Sequence, residues 1–192
     1  MADAALACRC GEVTGVLHDV PDAVASRVVC YCTDCQAFAR RTGHEEVLDA
    51  HGGTDIVQLS PRHLEFRSGV DRLGCLRLTE NGPFRWYARC CGTPIGNTPP
   101  GQLPFVGLLT STLGDDASDT TLGPVGRRIM AKEAVNGPVT GPAVHAGFPL
   151  GLILRLLPRI VFWRLRGDAR RSPFFDPETG APRAEPDPDP AG

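Results

Sequence analysis

Cysteines are the residues of this chain best suited to chemistry. Seven of the eight cysteines stand in three tight groups, separated by long stretches without any. Thiolate sulfur binds zinc or iron in preference to magnesium or calcium, and a thiolate is also a nucleophile. The grouping therefore predicts metal sites, with a redox dithiol as the alternative. Cys75 stands alone and is interpreted as a small buried hydrophobe.

The segment from Cys30 to Cys35 supplies three thiols, Cys30, Cys32 and Cys35, with no obvious fourth ligand. Residues i and i+2 of an extended chain face the same side, and a turn over residues 33–34 would bring Cys35 back to the same ion. Three protein ligands and one open position are typical of a reactive zinc. We therefore take these three cysteines as ligands of a reactive, open zinc and as the candidate catalytic residues.

Two Cys-Gly steps, at Cys10-Gly11 and Cys91-Gly92, each resemble half of a zinc knuckle. Glycine lets the backbone curl so that main-chain N–H groups approach a thiolate. The halves lie about 80 residues apart in sequence, so one shared ion would close a large loop. This pattern predicts a structural zinc bound by Cys8 and Cys10 together with the pair at 90–91.

The vicinal pair itself allows several arrangements. Neighbouring side chains on an extended segment point to opposite faces, so we expect Cys91 to be the ligand. Cys90 is left able to join the same site, to stay free or to face the open zinc. Both are counted as candidate metal ligands.

The elements that must position these cysteines are short. Glycine and proline number 22 and 18 of 192 residues, which disfavours a helical bundle. Turn residues separate β-rich runs at 8–12 residue spacing, as in an antiparallel meander or sandwich. The runs are 13–20, 27–29, 56–59, 64–66, 73–78, 84–87 and 105–109.

Beyond these runs the pattern changes. Pro124 favours a helix running to Val135, and the spacing of arginines predicts a second helix over 150–166. The fold class is therefore predicted as mainly β: a small zinc-binding antiparallel domain, tent- or sandwich-like, with a helical C-terminal extension. The division is 1–110 for the zinc domain, 111–175 for the extension and 176–192 for a proline-rich disordered tail.

Composition and charge exclude several partners. A formal net charge of −2 provides no basic field for nucleic acid. The first ten residues lack a secretory pattern, and the apolar stretch 148–163 is interrupted and too short to span a membrane. We therefore expect a cytoplasmic protein whose thiols are reduced. The helix over 150–166 is interpreted as docked on the core or on a partner copy in a homo-oligomer, with membrane-surface contact as a lesser alternative.

The order and content of the cysteine groups resemble the glutathione-dependent formaldehyde-activating enzyme family, also called the centromere-protein-V-like family. The resemblance covers about residues 6–110 and is closest to a divergent, uncharacterised bacterial branch that carries a C-terminal extension. It rests on Cys8-Arg9-Cys10-Gly11, Cys30-Tyr31-Cys32-Thr33-Asp34-Cys35 and Cys91-Gly92-Thr93-Pro94, with Asp55-Ile56-Val57 and Leu64-Glu65-Phe66 between them.

This resemblance implies a small zinc-bearing β-fold with one structural and one labile zinc, the latter on Cys30, Cys32 and Cys35. It also implies carbon–sulfur bond formation or cleavage on a glutathione adduct. One departure is specific: the family usually has Phe-Cys-x-x-Cys-Gly, whereas this chain has Ala88 where the first of those cysteines belongs.

Three functions follow as hypotheses. The first is a zinc-dependent carbon–sulfur lyase or transferase acting on a thiol substrate such as a glutathione adduct, whose carboxylates Arg40 and Arg41 could pair with. The second is a non-catalytic, zinc-stabilised binding module. The third is a thiol redox or metal-sensing protein that uses Cys90 and Cys91. His44 and His51 could supply a fourth ligand or a proton shuttle, but they are interpreted as surface or loop histidines and are not counted as site residues.

Overall fold

Two β-sheets form the body of the protein in the computed structural model, which describes residues 3–19, 27–117 and 119–187. The smaller sheet is antiparallel, in the order β1-β2-β5. Its strands are Ala4–Ala7, Thr14–Leu17 and Leu64–Ser68. The prediction of a mainly β fold is confirmed.

The larger sheet has eight strands in the order β10-β3-β4-β9-β8-β7-β6-β11. Its six inner strands pair antiparallel, whereas β10 and β11 add to the two edges in parallel. In chain order its strands are β3 Arg27–Cys30, β4 Thr54–Leu59, β6 Leu73–Leu76, β7 Phe84–Ala88, β8 Pro94–Thr98, β9 Val106–Leu109, β10 Arg127–Ile129 and β11 Pro186–Asp187.

The main core lies between the two sheets. Trp86 and Phe174 are fully buried and stack with ring centroids 4.9 Å apart, and Phe66 from the smaller sheet meets Phe174 edge-on at 5.5 Å. Aromatic side chains bury more area than any others, so this stack is a major contact between the sheets. Strands β3, β6 and β9 are buried at every residue because both faces of the larger sheet are covered.

Two helices lie on the other face of the larger sheet. They are α1, Thr33–Arg41, and α3, Leu150–Leu165; α2 is a single turn, Asp119–Leu122. Leu152 and Leu156 of α3 are buried against Val28, Ile56 and Ile129. This second apolar cluster includes Cys30 and Cys35, and Cys32 packs against it.

The helix predicted over 150–166 is confirmed, but the helix predicted over 124–135 is wrong. The main chain from Arg127 to Ile129 forms β10, which pairs in parallel with β3 from Val28 to Cys30. The unpaired edge of β3 offers main-chain hydrogen bonds to this segment, and such pairing overrides a weak local helix preference.

Residues after α3 return to the larger sheet. Asp187 pairs with Leu76 across β11 and β6, and the Tyr87 hydroxyl donates a hydrogen bond to the Asp187 carboxylate. Residues 188–192 of the predicted tail lie outside the described residues. The division into three parts stays a prediction.

The outward face of α3 is apolar. Its most exposed members are Leu165, Leu150 and Leu154, at 84%, 67% and 63%. In the part of the chain that the structure describes, no helix is long and apolar enough to cross a membrane.

Candidate metal centres

The three-cysteine site comprises Cys30, Cys32 and Cys35. Cys30 ends β3, Cys32 is the N-cap of α1 and Cys35 lies in the first turn of that helix. The Sγ atoms of Cys30 and Cys32 are 3.4 Å apart, and all three sulfurs lie within 4.8 Å of one another. Tetrahedral zinc with Zn–S distances of about 2.3 Å separates its sulfurs by about 3.8 Å. The site therefore fits a thiolate-binding ion such as zinc.

The start of α1 creates this arrangement. Cys32 has extended backbone, and its Sγ accepts a hydrogen bond from the Cys35 N–H at 3.4 Å, as an N-cap side chain does. The turn that the sequence predicts over residues 33–34 is the first turn of this helix. This turn brings the Cys35 sulfur close to those of Cys30 and Cys32 without a separate loop.

The C-terminal extension holds the same segment from outside. Glu133 accepts hydrogen bonds from the main-chain N–H of Thr33 at 2.8 Å and from its hydroxyl at 3.2 Å. The Gln36 amide bridges the carbonyls of Tyr31 and Glu133 at 2.8 and 3.0 Å, and the Tyr31 N–H donates to Ile129. Residues beyond 110 thus fix the orientation of the three cysteines.

Arg85 is the charged group beside these thiols. It is 3% exposed, its Nη2 lies 3.3 Å from the Asp34 carboxylate and its Nη1 lies 3.8 Å from the Cys35 Sγ. Hydrogen bonds from Cys30 and Cys32, with the Arg85 charge added, hold the pKa of Cys35 well below its usual range. The same contacts with Cys32 and Cys35, together with burial, raise the pKa of Cys30. The crowded thiols therefore share one negative charge readily, and a cation is needed to ionise all three.

A pocket of about 330 Å³ opens beside the three-cysteine site. The larger sheet forms its floor, and α3 with the preceding Phe148 forms one wall. Apart from the cysteines its lining is Val28, Ile56, Gln58, Arg85, Asn97, Phe105, Gly107, Ile129, Met130, Phe148 and Leu156. An apolar cavity with a few polar groups next to reactive thiols is the usual form of a small-molecule site.

The four-cysteine site comprises Cys8, Cys10, Cys90 and Cys91, whose sulfurs all lie within 4.8 Å of one another. The Cys10–Cys90, Cys8–Cys10 and Cys8–Cys90 sulfur distances are 3.3, 3.5 and 3.8 Å. Four thiols at tetrahedral spacing fit a closed site for zinc. Among the described residues these two groups are the candidate metal centres.

Both halves of the four-cysteine site are turns. The N–H of Val13 donates to the Cys8 Sγ at 3.3 Å, and Gly11 adopts a φ of +80°. Gly92 adopts a φ of +78°, and its N–H donates to the carbonyl of Ala88 at 2.7 Å. A positive φ is easily reached only by glycine, so the two Cys-Gly steps are needed for this curl.

The expectation that Cys91 alone faces this site assumed an extended segment, and the structure differs. Residues 89–91 form a turn, so the side chains at 90 and 91 do not alternate across a strand. Cys91 Sγ lies 3.9 Å from Cys90 Sγ and 3.1 Å from the Thr93 hydroxyl. Burial acts to raise the pKa of Cys91, but hydrogen bonds from the Thr93 hydroxyl and main chain outweigh it and lower the pKa to about 6.

His44 supports the four-cysteine site without joining it. It is buried, its Nε2 donates to the carbonyl of Cys91 at 2.8 Å and its Nδ1 lies 2.6 Å from the Glu46 carboxylate. His51 contacts the carbonyl of Val135 at 3.3 Å. Among the described residues, neither histidine belongs to a cysteine group, and the burial of His44 differs from the surface or loop position expected for it.

The two arginines considered for substrate binding lie elsewhere. Arg40 and Arg41 are in the last turn of α1, and neither lines the pocket beside the three-cysteine site. Arg40 contacts Gln36 and Glu45 instead.

Three polar residues near the cysteines escaped the sequence analysis: Gln58, Arg85 and Glu133. The sequence gives one weak indication that Arg85 is a functional residue: it is a charged residue next to Trp86 in an otherwise apolar strand. Nothing in the sequence distinguishes Gln58 or Glu133, because their roles depend on strand register and on a contact 100 residues away.

Comparisons with known proteins give the family and little beyond it. No curated protein matches the chain. A solved Rhodobacter sphaeroides protein is 19% identical, with a TM-score of 0.45, and the alignment covers 63% of this chain and 96% of that one. The sequence model of DUF6151, described as a family of unknown function, matches residues 2–187. Because that match spans nearly the whole length, the chain belongs to the DUF6151 family.

Proposed function

We propose that this chain is a zinc protein with a structural four-cysteine site and a reactive three-cysteine site, the latter serving carbon–sulfur lyase or transferase chemistry on a thiol adduct. The observation that carries the proposal is the pocket beside Cys30, Cys32 and Cys35. The four-cysteine site supplies a full set of thiols by itself, whereas the three-cysteine site leaves one position for a substrate.

The resemblance to the formaldehyde-activating family supports the same division. That family places its labile zinc on three cysteines spaced as they are here, and its named activity concerns a glutathione adduct. Ala88 replaces the first cysteine of its second structural pair. Cys90, with its sulfur 3.3 Å from that of Cys10, offers a thiol two residues later.

The residues around the three-cysteine site would balance charge, position the cysteines and exclude water. Zinc bound at the three-cysteine site would supply a Lewis acid toward a thiol or a thiohemiacetal oxygen. Arg85 balances the negative charge of the cysteines and holds Cys35 and Asp34 in place. The apolar walls formed by Ile56, Phe105 and Leu156 exclude water, which strengthens electrostatic interactions inside the pocket.

The test is metal content and fold in Cys32→Ala, with Cys75→Ala as the control. Cys75 is buried in the main core and lies outside both cysteine groups, so its variant should retain both ions. We expect Cys32→Ala to stay folded and to lose one of two equivalents of zinc. A collapsed Cys32→Ala protein without any metal would contradict an independent reactive site.

Two alternatives remain from the sequence. A non-catalytic, zinc-stabilised module predicts that both sites are needed for folding, so the same variant tests it. A redox or metal-sensing role for Cys90 and Cys91 predicts that Cys90 reacts with a thiol reagent while zinc is bound. The Cys90 sulfur lies 3.3 Å from the Cys10 sulfur and 3.8 Å from the Cys8 sulfur. We expect no such reaction, because zinc would hold Cys90.

A further inference from the structure

A row of polar residues crosses the floor of the pocket. Strand register places Arg85 opposite Asn97, Asn97 opposite Gly107 and Gly107 opposite Gln58. Residues that are directly opposed on neighbouring strands share one face of a sheet. Gly107 has no side chain and leaves an open space between Asn97 and Gln58. A Cβ at this position would be crowded, because it would lie 3.0 Å from Asn97 Oδ1 and 3.1 Å from Ile56 Cγ2.

Two atoms in this row lack partners. Gln58 is 6% exposed, and its Oε1 has no hydrogen-bond partner among the described residues. The Nε of Arg85 is also buried and has no hydrogen-bond partner in the described part of the chain. Buried polar atoms are nearly always hydrogen-bonded, and an orphaned one costs about 1–3 kcal/mol. Gln58 lines the pocket, so a ligand that brings a hydroxyl or amide N–H to this part of the floor would supply the donor that its Oε1 lacks.

The same lining fits a charged ligand poorly. Glutathione brings two carboxylates and an ammonium group, each of which needs an opposite charge when it leaves water. Arg85 is the one cation in the lining, and its guanidinium already lies 3.3 Å from Asp34. The remaining walls are aliphatic, aromatic and methionine side chains.

We propose that this pocket selects an uncharged thiol compound with an apolar body and a single hydroxyl or amide group, which Gln58 binds. This inference rests on the proposed function for the thiol end, which would meet the zinc of the three-cysteine site. It replaces the glutathione adduct, implied by the resemblance, with a smaller and less polar substrate class. The C-terminal extension sets this preference, because Ile129, Phe148 and Leu156 belong to it.

The test compares three probes on the zinc-loaded full chain by calorimetry. They are 6-mercaptohexan-1-ol, hexane-1-thiol and glutathione. We expect 6-mercaptohexan-1-ol to bind at least about tenfold more tightly than glutathione, since each uncompensated charge costs more than one hydrogen bond returns. Equal or tighter binding of glutathione would overturn the proposal.

Two variants locate the binding site. Gln58→Leu should weaken 6-mercaptohexan-1-ol about fivefold, the value of one neutral hydrogen bond, and leave hexane-1-thiol unchanged. Gly107→Ala should weaken both thiols, because the added methyl pushes Ile56 and Asn97 into the pocket. Gly151→Ala is the matched control: the same change on α3, where a Cβ meets nothing within 4 Å. If Gln58→Leu weakens both thiols equally, or if Gly107→Ala weakens neither, the pocket assignment is wrong.

Hexan-1-ol, which has no thiol, distinguishes an error in the pocket proposal from an error in the proposed zinc site. If the three-cysteine site takes no zinc, the proposed function fails. Hexan-1-ol binding that Gly107→Ala abolishes would still uphold the pocket. Zinc bound at full occupancy with no binding of hexan-1-ol or of either apolar thiol would overturn the pocket proposal alone.

Discussion

The four-cysteine site and the three-cysteine site use the same ligand in different surroundings. The first is made of two glycine-dependent turns that lie 82 residues apart in sequence at Cys8 and Cys90, and it has a full set of thiols. The second is local, six residues long, capped onto a helix and open to a pocket. Four ligands from distant parts of the sequence suit the four-cysteine site to stabilising the fold. The open coordination position suits the three-cysteine site to chemistry.

The largest effect should come from breaking the long-range site. Cys8→Ala would release a cross-link that closes a loop of about 80 residues, and loop-closure entropy puts its loss at about 4–5 kcal/mol of unfolding free energy. Urea denaturation of the zinc-loaded protein measures this loss, with Cys32→Ala as the comparison. A larger loss in Cys32→Ala would reverse the roles given to the two sites.

A second experiment targets the helix that walls only the three-cysteine site. Leu152 lies on the inner face of α3 and is fully buried, so Leu152→Ala should cost about 2–5 kcal/mol as a cavity forms. Leu154, 63% exposed on the same helix, is the control and should change stability by less than about 0.5 kcal/mol. We also expect Leu152→Ala to lower zinc retention at the three-cysteine site alone. Equal zinc loss at both sites would mean that α3 supports the whole fold and not one site.

Chelation should separate the sites by rate. A site with three protein ligands exposes its ion to a competing ligand, so EDTA should remove one zinc about tenfold faster than the other. Zinc release followed with a chromogenic indicator should show two phases, and the fast phase should be absent in Cys32→Ala. A single phase in the unmodified protein would show that the sites are equally accessible.

The smallest effect concerns pH and the sheet that carries Cys8. His18, the residue after β2, contacts Glu65 at 2.7 Å and Asp3 at 3.0 Å, and these contacts raise its pKa above the ordinary 6.5. A raised pKa means that the contacts stabilise the fold fully below pH 6.5 and lose this effect as pH rises through the higher value. The melting temperature should therefore fall slightly more between pH 6 and 9 in the unmodified protein than in His18→Gln. Half-buried His63, whose pKa is lowered by burial, titrates in both proteins, so the difference isolates His18. Identical pH curves would show that this exposed cluster contributes nothing.

How much could be read from the sequence differs between the two sites. The local spacing of Cys30, Cys32 and Cys35 was enough to predict a shared site, because it depends only on a strand end and the helical turn that follows it. The place of Cys90 could not be predicted, since it depends on the turn that Gly92 permits at a φ of +78°. The pocket was not predicted, because its lining comes from six strands that the register of the larger sheet brings together.

The strands were likewise predicted only where local sequence preference agrees with the fold. Strands rich in β-branched and aromatic residues, such as β4 and β7, were predicted because their local preference agrees with their place in the sheet. β1 has the sequence Ala-Ala-Leu-Ala and carries little strand preference, and it is held by pairing with β2. β10 was taken for a helix because its strand form exists only against β3.

The two edges of the larger sheet have a consequence for expression of shortened chains. Both edge strands, β10 and β11, come from beyond residue 110, and they are three and two residues long. A protein cut at residue 110 would expose the edges of β3 and β6, two strands buried at every residue. Unprotected apolar edges pair with other chains, so such a fragment should self-associate into β-rich aggregates. The part of the chain beyond residue 110 therefore also keeps this sheet from growing by pairing with other chains.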